Sequence, residues 1–266
     1  MSGDYLTTGW EPDLAADDSL LRRFVLANVE RSAFLAHSVG GASRRWDDVA
    51  VADPASPVLF DNLVALLQPP EYIDIRAAVQ RAIEFYPPER HFLLLSAWPT
   101  PDLSAQGLEL MGHPPLMLRP PGGTAPPVPD GLDVVRVRDA EQLDDFLTTL
   151  IKAYPLPKAT DTALGSVSIL DGPVRLFVGY VDGRPVATSG ARIGGGLVDV
   201  EWVSTRSEYR RRGIGAALTW AATLTEPSLP GVLIASDDGQ PVYQAMGHLR
   251  LMRLTVWHRP PHGSRS

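Results

Sequence analysis

The chain has 266 residues and a mass of 28.8 kDa, is 44% hydrophobic and 21% charged, and so has room for one large domain or two small ones around a real core, which excludes disorder along its whole length. It has no cysteine, which excludes a disulfide framework, a thiolate metal site and a cysteine nucleophile, and no run of 18 apolar residues that could span a membrane. The formal net charge of -7 and a pI of about 5.3 argue against broad nucleic-acid binding, and the polar, acidic start MSGDYLTTGWEPDLAADD does not read as a targeting segment, so a cytoplasmic location is expected.

In chain order, residues 14–38 have a helical pattern, 58–67 (VLFDNLVALL) read as a strand, 73–85 as a helix, 91–97 as a strand, 102–111 as a helix and 116–119 as a strand. Residues 114–131 hold seven prolines and three glycines, the composition of a stiff connector. The expected division is an N-terminal domain over 1–119, a linker over 120–131 and a C-terminal domain over 132–266.

The second half has the clearer grammar. Residues 133–138 alternate like a half-buried strand, and Asp139 then caps a helical run that Pro155 and Pro157 end. Asp182-Gly183 between two β-rich runs signals a hairpin. Gly194 to Gly196 make a second turn, 197–205 a strand, 213–225 a helix, 231–235 a buried strand, 240–246 a short helix and 249–257 a last strand. An internal repeat is also visible. Met111-Gly112-His113-x-x-Leu116-Met117 recurs 135 residues later as Met246-Gly247-His248-x-x-Leu251-Met252, which suggests two copies of one supersecondary unit.

Chemistry concentrates in VEWVSTRSEYRRRGIGAAL, residues 200–218. Here a strand runs through Arg210, Arg211 and Arg212 into Gly213-Ile214-Gly215 and a helix. The first turn of a helix offers N–H groups without internal partners and a partial positive charge. Glycines let phosphate oxygens approach the backbone, and arginines can pair with them in two-pronged fashion. A solvated arginine run would not explain two glycines in a first helical turn. A dinucleotide-binding loop would use Gly213, Gly215 and the later Asp237, but Leu218 stands in place of its third glycine.

Arg210-x-x-Gly213-x-Gly215 resembles the coenzyme A signature of the GNAT superfamily of N-acetyltransferases. Tyr243-Gln-Ala-Met-Gly247-His248 is similar to the same family's Tyr-x-x-x-Gly-Phe, with His248 in the phenylalanine place, and the strand order agrees over residues 132–258. The resemblance implies an α/β fold of the α+β type, with two GNAT-like mixed-sheet domains in tandem and the C-terminal one complete. It implies acetyl-coenzyme A as cosubstrate, its pantetheine arm along Val203, Ser204 and Thr205, and its diphosphate on Arg210, Arg211, Arg212, Gly213, Ile214, Gly215 and Ala216. Ser236 stands where the family often has asparagine near the coenzyme. Tyr243 would protonate the leaving thiolate, with a small-molecule or peptide amine as acceptor.

Strand alternation places Asp199, Glu201 and Val203 on one face, so either acid could act as the base that deprotonates the acceptor. No metal is expected: His258 and His262 are four apart, but Pro260 and Pro261 between them preclude a helix. His113 and His248 read as structural. After its strand the N-terminal half has QPPEYIDIR (68–76), without a Gly-x-Gly and with prolines that donate no N–H. It is expected to be a degenerate copy that shapes the acceptor pocket and does not bind the coenzyme. The alternative is an acyl-coenzyme A sensor without turnover. The sequence leaves the acceptor's identity and monomer or homodimer open.

Overall fold

The computed structural model describes residues 19–154 and 162–261. In the first half, α1 (Leu20–Ser38) is followed by β1 (Ala42–Arg45), β2 (Val49–Asp53), β3 (Leu63–Leu66), α2 (Ile75–Phe85), β4 (Phe92–Ser96), β5 (Glu109–Gly112) and β6 (Pro115–Arg119). The second half contributes β7 (Leu132–Arg136), α3 (Ala140–Ala153), β8 (Val174–Val181), β9 (Arg184–Gly194), β10 (Leu197–Thr205), α4 (Ile214–Thr223), β11 (Gly231–Ile234), α5 (Gln240–Ala245), β12 (Leu249–Arg253) and β13 (Thr255–Arg259). Local chemistry sets many of the boundaries. Asp139 accepts from the Gln142 N–H at 2.9 Å and starts α3, while Asp182 and Gly183, with φ of 50° and 71°, make the tight turn between β8 and β9. The prolines at 155 and 157, residues 14–18 of the expected first helix, and His262 lie outside the described residues.

The strands form two mixed sheets, ordered β1-β2-β3-β4-β13-β5 and β12-β6-β11-β10-β9-β8-β7. Each contains one parallel contact, β3 with β4 and β10 with β11, among antiparallel ones. Setting β2, β3, β4, β13 and β5 against β9, β10, β11, β6 and β12 gives the same neighbours in the same order. The expected pair of similar mixed-sheet units is therefore present, but the sheets cross the expected division of the chain. β6, from the first half, lies between β11 and β12. β13, from the second half, lies between β4 and β5. Each half gives its last strand to the other.

This exchange corrects several sequence readings. The strand read over 249–257 is two strands in different sheets, broken at Leu254, which is fully buried where the two halves meet. The helix read over 102–111 is a short turn at Ser104–Gln106 followed by β5. Gly107, at φ of 79°, ends that turn, and Leu103 and Leu108 plug the core, so their spacing imitates a helical face. The strand read over 58–67 is a turn, Leu59–Asp61, and then β3. The structural repeat also has a different offset: Thr255 of β13 stands 140 residues after Pro115 of β6. The Met-Gly-His echo is thus not the repeat. Gly112-His113 joins two strands, whereas Gly247-His248 joins a helix to a strand.

One apolar core runs through both halves. Phe24, Val25 and Val29 of α1 pack with Leu63 and Leu95 of one sheet and with Leu116, Leu197 and Val232 of the other. Without β13, the backbone groups of β4 and β5 that it pairs with would lose their partners, at a cost of about 1–3 kcal/mol for each buried group left unsatisfied. The halves should therefore unfold together. In urea, far-UV circular dichroism and tryptophan fluorescence are expected to give superimposable transitions; two separated transitions would contradict this.

Candidate active site

The site is built around an irregularity in β10. Its pairing with β9 runs from Leu197↔Gly194 to Glu201↔Gly190 and resumes at Ser204↔Thr188, so Trp202 and Val203 form a bulge. Trp202 takes a left-handed φ of 53°. A Cβ on Gly190 would stand 2.6 Å from its indole, so only glycine fits opposite. The Thr188 hydroxyl donates to the Trp202 carbonyl at 2.8 Å and shares a hydrogen bond with the Ser204 hydroxyl at 2.7 Å. The bulge corrects the expected alternation. Trp202 lies on the same side as Glu201, packed against the cluster of Leu176 and Val178, while Val203 joins Val198, Val200 and Tyr243 on the other side.

Beyond the bulge the sheet opens. β10 pairs in parallel with β11 only at Val198↔Gly231 and Asp199↔Val232, although β10 continues to Thr205 and β11 to Ile234. Val203, Ser204 and Thr205 thus have no ladder partner on the β11 side. The Ser204 side chain is buried in its bond to Thr188, which leaves its backbone as the part that can meet a ligand.

The turn from β10 into α4 has an open N-terminus. Arg211 and Gly213 adopt φ of 63° and 78°, and Gly213 is an N-cap without a side-chain bond. The first bond recorded at this end runs from the Ala217 N–H to the Gly213 carbonyl at 3.0 Å, so the N–H groups of Ile214, Gly215 and Ala216 lack intrahelical partners. At Gly215 a Cβ would lie 3.1 Å from the Thr205 hydroxyl, a close approach to which the threonine side chain would have to yield. The three arginines differ. Arg210 braces the turn, donating to the Thr205 carbonyl at 3.0 Å and the Ala153 carbonyl at 3.3 Å. Arg212 stacks 5.7 Å from the Tyr209 ring centroid. Arg211 is exposed and makes no ion pair among the described residues.

Tyr243, on α5, packs on the cluster that includes Val203 and Ala235. Burial, and then the nearby Tyr154 and Glu201, hold its phenol above the ordinary tyrosine range, so it stays protonated. His248 is structural: its N–H and its Nδ1 both meet the Tyr243 carbonyl, at 2.9 and 3.2 Å, and burial lowers its pKa to about 4. His113 meets the Leu254 carbonyl at 3.3 Å. Ser236 caps the segment entering α5, its hydroxyl accepting from the Gly239 N–H at 3.0 Å. Among the described residues no cluster of ligating side chains could hold a metal ion, and no helix is long and apolar enough to cross a membrane.

On the opposite face of β10, Asp199 and Glu201 share one guanidinium nitrogen of Arg31 from α1, the Glu201 contact being 2.5 Å. The Asp199 side chain is 2% exposed and that of Glu201 23%. Burial, aided by Asp199 and opposed by Arg31, pushes the Glu201 carboxyl up to about 7. Burial works against the Arg31 charge, but the two carboxylates outweigh it and hold its pKa above the ordinary value. Asp199 lies behind the Arg31–Glu201 contact, and Glu201 faces a cavity of 520 Å³. The cavity is walled by both halves, with Asn28, Arg31 and Asp61 from the first and Trp202, Ala235 and Ser236 from the second.

The sequence reading missed Arg31, Asn28, Asp61 and Trp202. Arg31 and Asn28 sit within a helical pattern and Asp61 in a segment read as strand, with nothing local to mark them. Only the bulge, the packing of α1 and the turn at Leu59–Asp61 bring them to the site.

Residues 140–247 match the acetyltransferase (GNAT) family. Among solved structures, the chain is similar to a GCN5-related N-acetyltransferase from Kribbella flavida, at 21% identity and a TM-score of 0.63 over 88% of this chain and 94% of the other. It is also similar to a GNAT-family acetyltransferase structure from Novosphingobium aromaticivorans, at 19% identity and a TM-score of 0.57 over 87% and 97%. A third is a GCN5-related N-acetyltransferase from Sphaerobacter thermophilus, at 14% identity and a TM-score of 0.55 over 89% and 92%. No curated protein matches. At these identities the likeness is one of fold, and it extends over both halves. The family match covers the bulged strand, the Arg-x-x-Gly-x-Gly turn and Tyr243, and residues 140–247 of the second half form a GNAT-family domain.

Proposed function

We propose that the chain transfers an acetyl or short acyl group from acyl-coenzyme A to a primary amine, in a single site in its second half. One observation carries this reading: the opening between β10 and β11 has the exposed, glycine-containing helix start at one side and a cavity containing Glu201 at the other. Acetyl-coenzyme A would supply the activated thioester. Its diphosphate would take the N–H groups of Ile214, Gly215 and Ala216 with Arg211 and Arg212, while Arg210 holds the turn's shape. The free backbone of Val203 to Thr205 would meet the pantetheine arm. The N–H at the bulge would meet the developing oxyanion.

The proton balance assigns the remaining roles. An ammonium acceptor gives a proton to Glu201, and the freed nitrogen pair forms the C–N bond. The C–S bond breaks with its electron pair on sulfur, sulfur takes a proton, and the acylated nitrogen sheds its second proton to restore the donor. Tyr243 is the donor to that sulfur, and its raised pKa keeps the required hydrogen in place. Asp199 holds Arg31 in position and has no direct contact with the cavity. In the first half the equivalent helix start is closed, because the Asp74 carboxylate caps α2 by accepting from the Ala77 N–H at 3.1 Å. A negative charge stands where a phosphate would bind, which supports a non-binding role for that half.

Thiol release with a panel of amines tests the reading. Activity should rise with pH through about 7 as Glu201 loses its proton. Glu201→Gln should lower kcat by about 10²–10⁴-fold and remove that limb, and Tyr243→Phe should lower kcat with little change in coenzyme affinity. Coenzyme binding without thiol release from any amine would make the chain a sensor and overturn the transferase reading.

A further inference from the structure

Resting on the transferase reading, the cavity's chemistry narrows the acceptor. Its lining is largely apolar, with Leu35, Leu63, Leu95, Leu164, Trp202 and Val256 around the space. The volume of 520 Å³ suits a small molecule. Arg31 is the one arginine or lysine among the lining residues, and both Asp199 and Glu201 occupy it. Asp61 also faces the cavity, with one carboxylate oxygen accepting from the Ser56 hydroxyl at 2.6 Å and the Ala163 N–H at 2.7 Å. Asp237, at the rim, is paired with Arg253 at 2.7 Å. A polycation would therefore find few carboxylates free and a guanidinium nearby, and a substrate carboxylate would find no free cation.

Asn28 supplies an independent pointer. It lies on α1, is 1% exposed and lines the cavity, yet its Oδ1 has no hydrogen-bond partner. A buried amide oxygen without a partner is unfavourable, and although Oδ1 is closed off from the empty cavity, a turn of the Asn28 side chain toward the space would let a donor on a bound molecule relieve it. We infer that the acceptor is a singly charged primary amine with an apolar body, a second N–H or O–H donor and no carboxylate. Its amine faces Glu201, its apolar part lies among the leucines and Trp202, and its second donor is taken by Asn28 Oδ1. The first half thus selects the acceptor for the reaction carried out in the second.

The experiment compares leucinamide, isoamylamine, leucine and spermidine by thiol release at saturating acetyl-coenzyme A, with calorimetry of coenzyme binding alongside. Leucinamide should exceed leucine and spermidine in kcat/KM by about a hundredfold, since burial of an unpaired charge is strongly disfavoured. Asn28→Leu should raise the ratio of the leucinamide KM to the isoamylamine KM about tenfold, as expected for the loss of one neutral hydrogen bond, without changing coenzyme affinity. Asn28→Asp, which keeps an acceptor oxygen, should retain leucinamide in preference to isoamylamine. Preference for spermidine or leucine, or an equal loss with leucinamide and isoamylamine in Asn28→Leu, overturns the inference and leaves the transferase reading standing. Failure of every amine to release thiol while the coenzyme binds overturns both.

Discussion

Gly213→Glu is expected to abolish acetyl-coenzyme A binding, raising the dissociation constant by at least about a hundredfold in calorimetry. Two effects combine. Gly213 has a φ of 78°, which costs a residue with a Cβ about 1–2 kcal/mol. The new carboxylate also faces the unpaired N–H groups of Ile214, Gly215 and Ala216, where it would satisfy the donors proposed for phosphate and repel the diphosphate. The exposed position limits damage to the fold, so the melting temperature should fall by only a few degrees, about what a 1–2 kcal/mol loss produces. Gly213→Ala separates the two effects: it carries the same backbone strain without the charge and should weaken binding far less. Unchanged affinity in Gly213→Glu would mean that the coenzyme binds elsewhere.

Arg31→Met should be the most destabilising single substitution near the site. It leaves Asp199, with a side chain 2% exposed, and Glu201 without their shared cation. Removing one partner of a buried ion pair costs about 3–5 kcal/mol. The sign with pH follows from the direction of the shifts. Without Arg31 the Glu201 carboxyl is expected to hold its proton still more tightly in the folded chain than in the unfolded one. Its contribution is then favourable at low pH and is lost as pH rises through its raised folded value. The deficit measured by urea unfolding should accordingly be larger at pH 8 than at pH 5, and Arg31→Met combined with Asp199→Asn should recover part of it. The acid limb of the activity profile should also move to higher pH, because Glu201 loses the charge that now holds it down. A deficit independent of pH would show that Arg31 acts through packing alone.

Much of the second half was legible because its signals are local. Asp139 at the start of α3, the Asp182-Gly183 turn and the glycines of the α4 turn each act within a few residues, and the structure has them in the expected places. The first half was harder to read because its pattern records burial more than local geometry. Leu103 and Leu108 are buried from an irregular segment, and the chain around Leu254 passes between sheets without leaving an apolar environment. The bulge at Trp202 has no sequence marker apart from Gly190 across the pair, and it reverses the face assigned to Val203. The Arg31 pairing joins residues 168 and 170 positions apart, a separation at which periodicity carries no information.

The traded strands also constrain the order of assembly during synthesis. Residues 115–119 leave the ribosome well before β11 and β12, between which they belong, and the first sheet must wait for residues 255–259. Until then β4 and β5 present unsatisfied edges, the kind of surface on which partly made chains aggregate. A nascent chain stalled before residue 255 should therefore depend on chaperones even though most of its helices and strands have already been made.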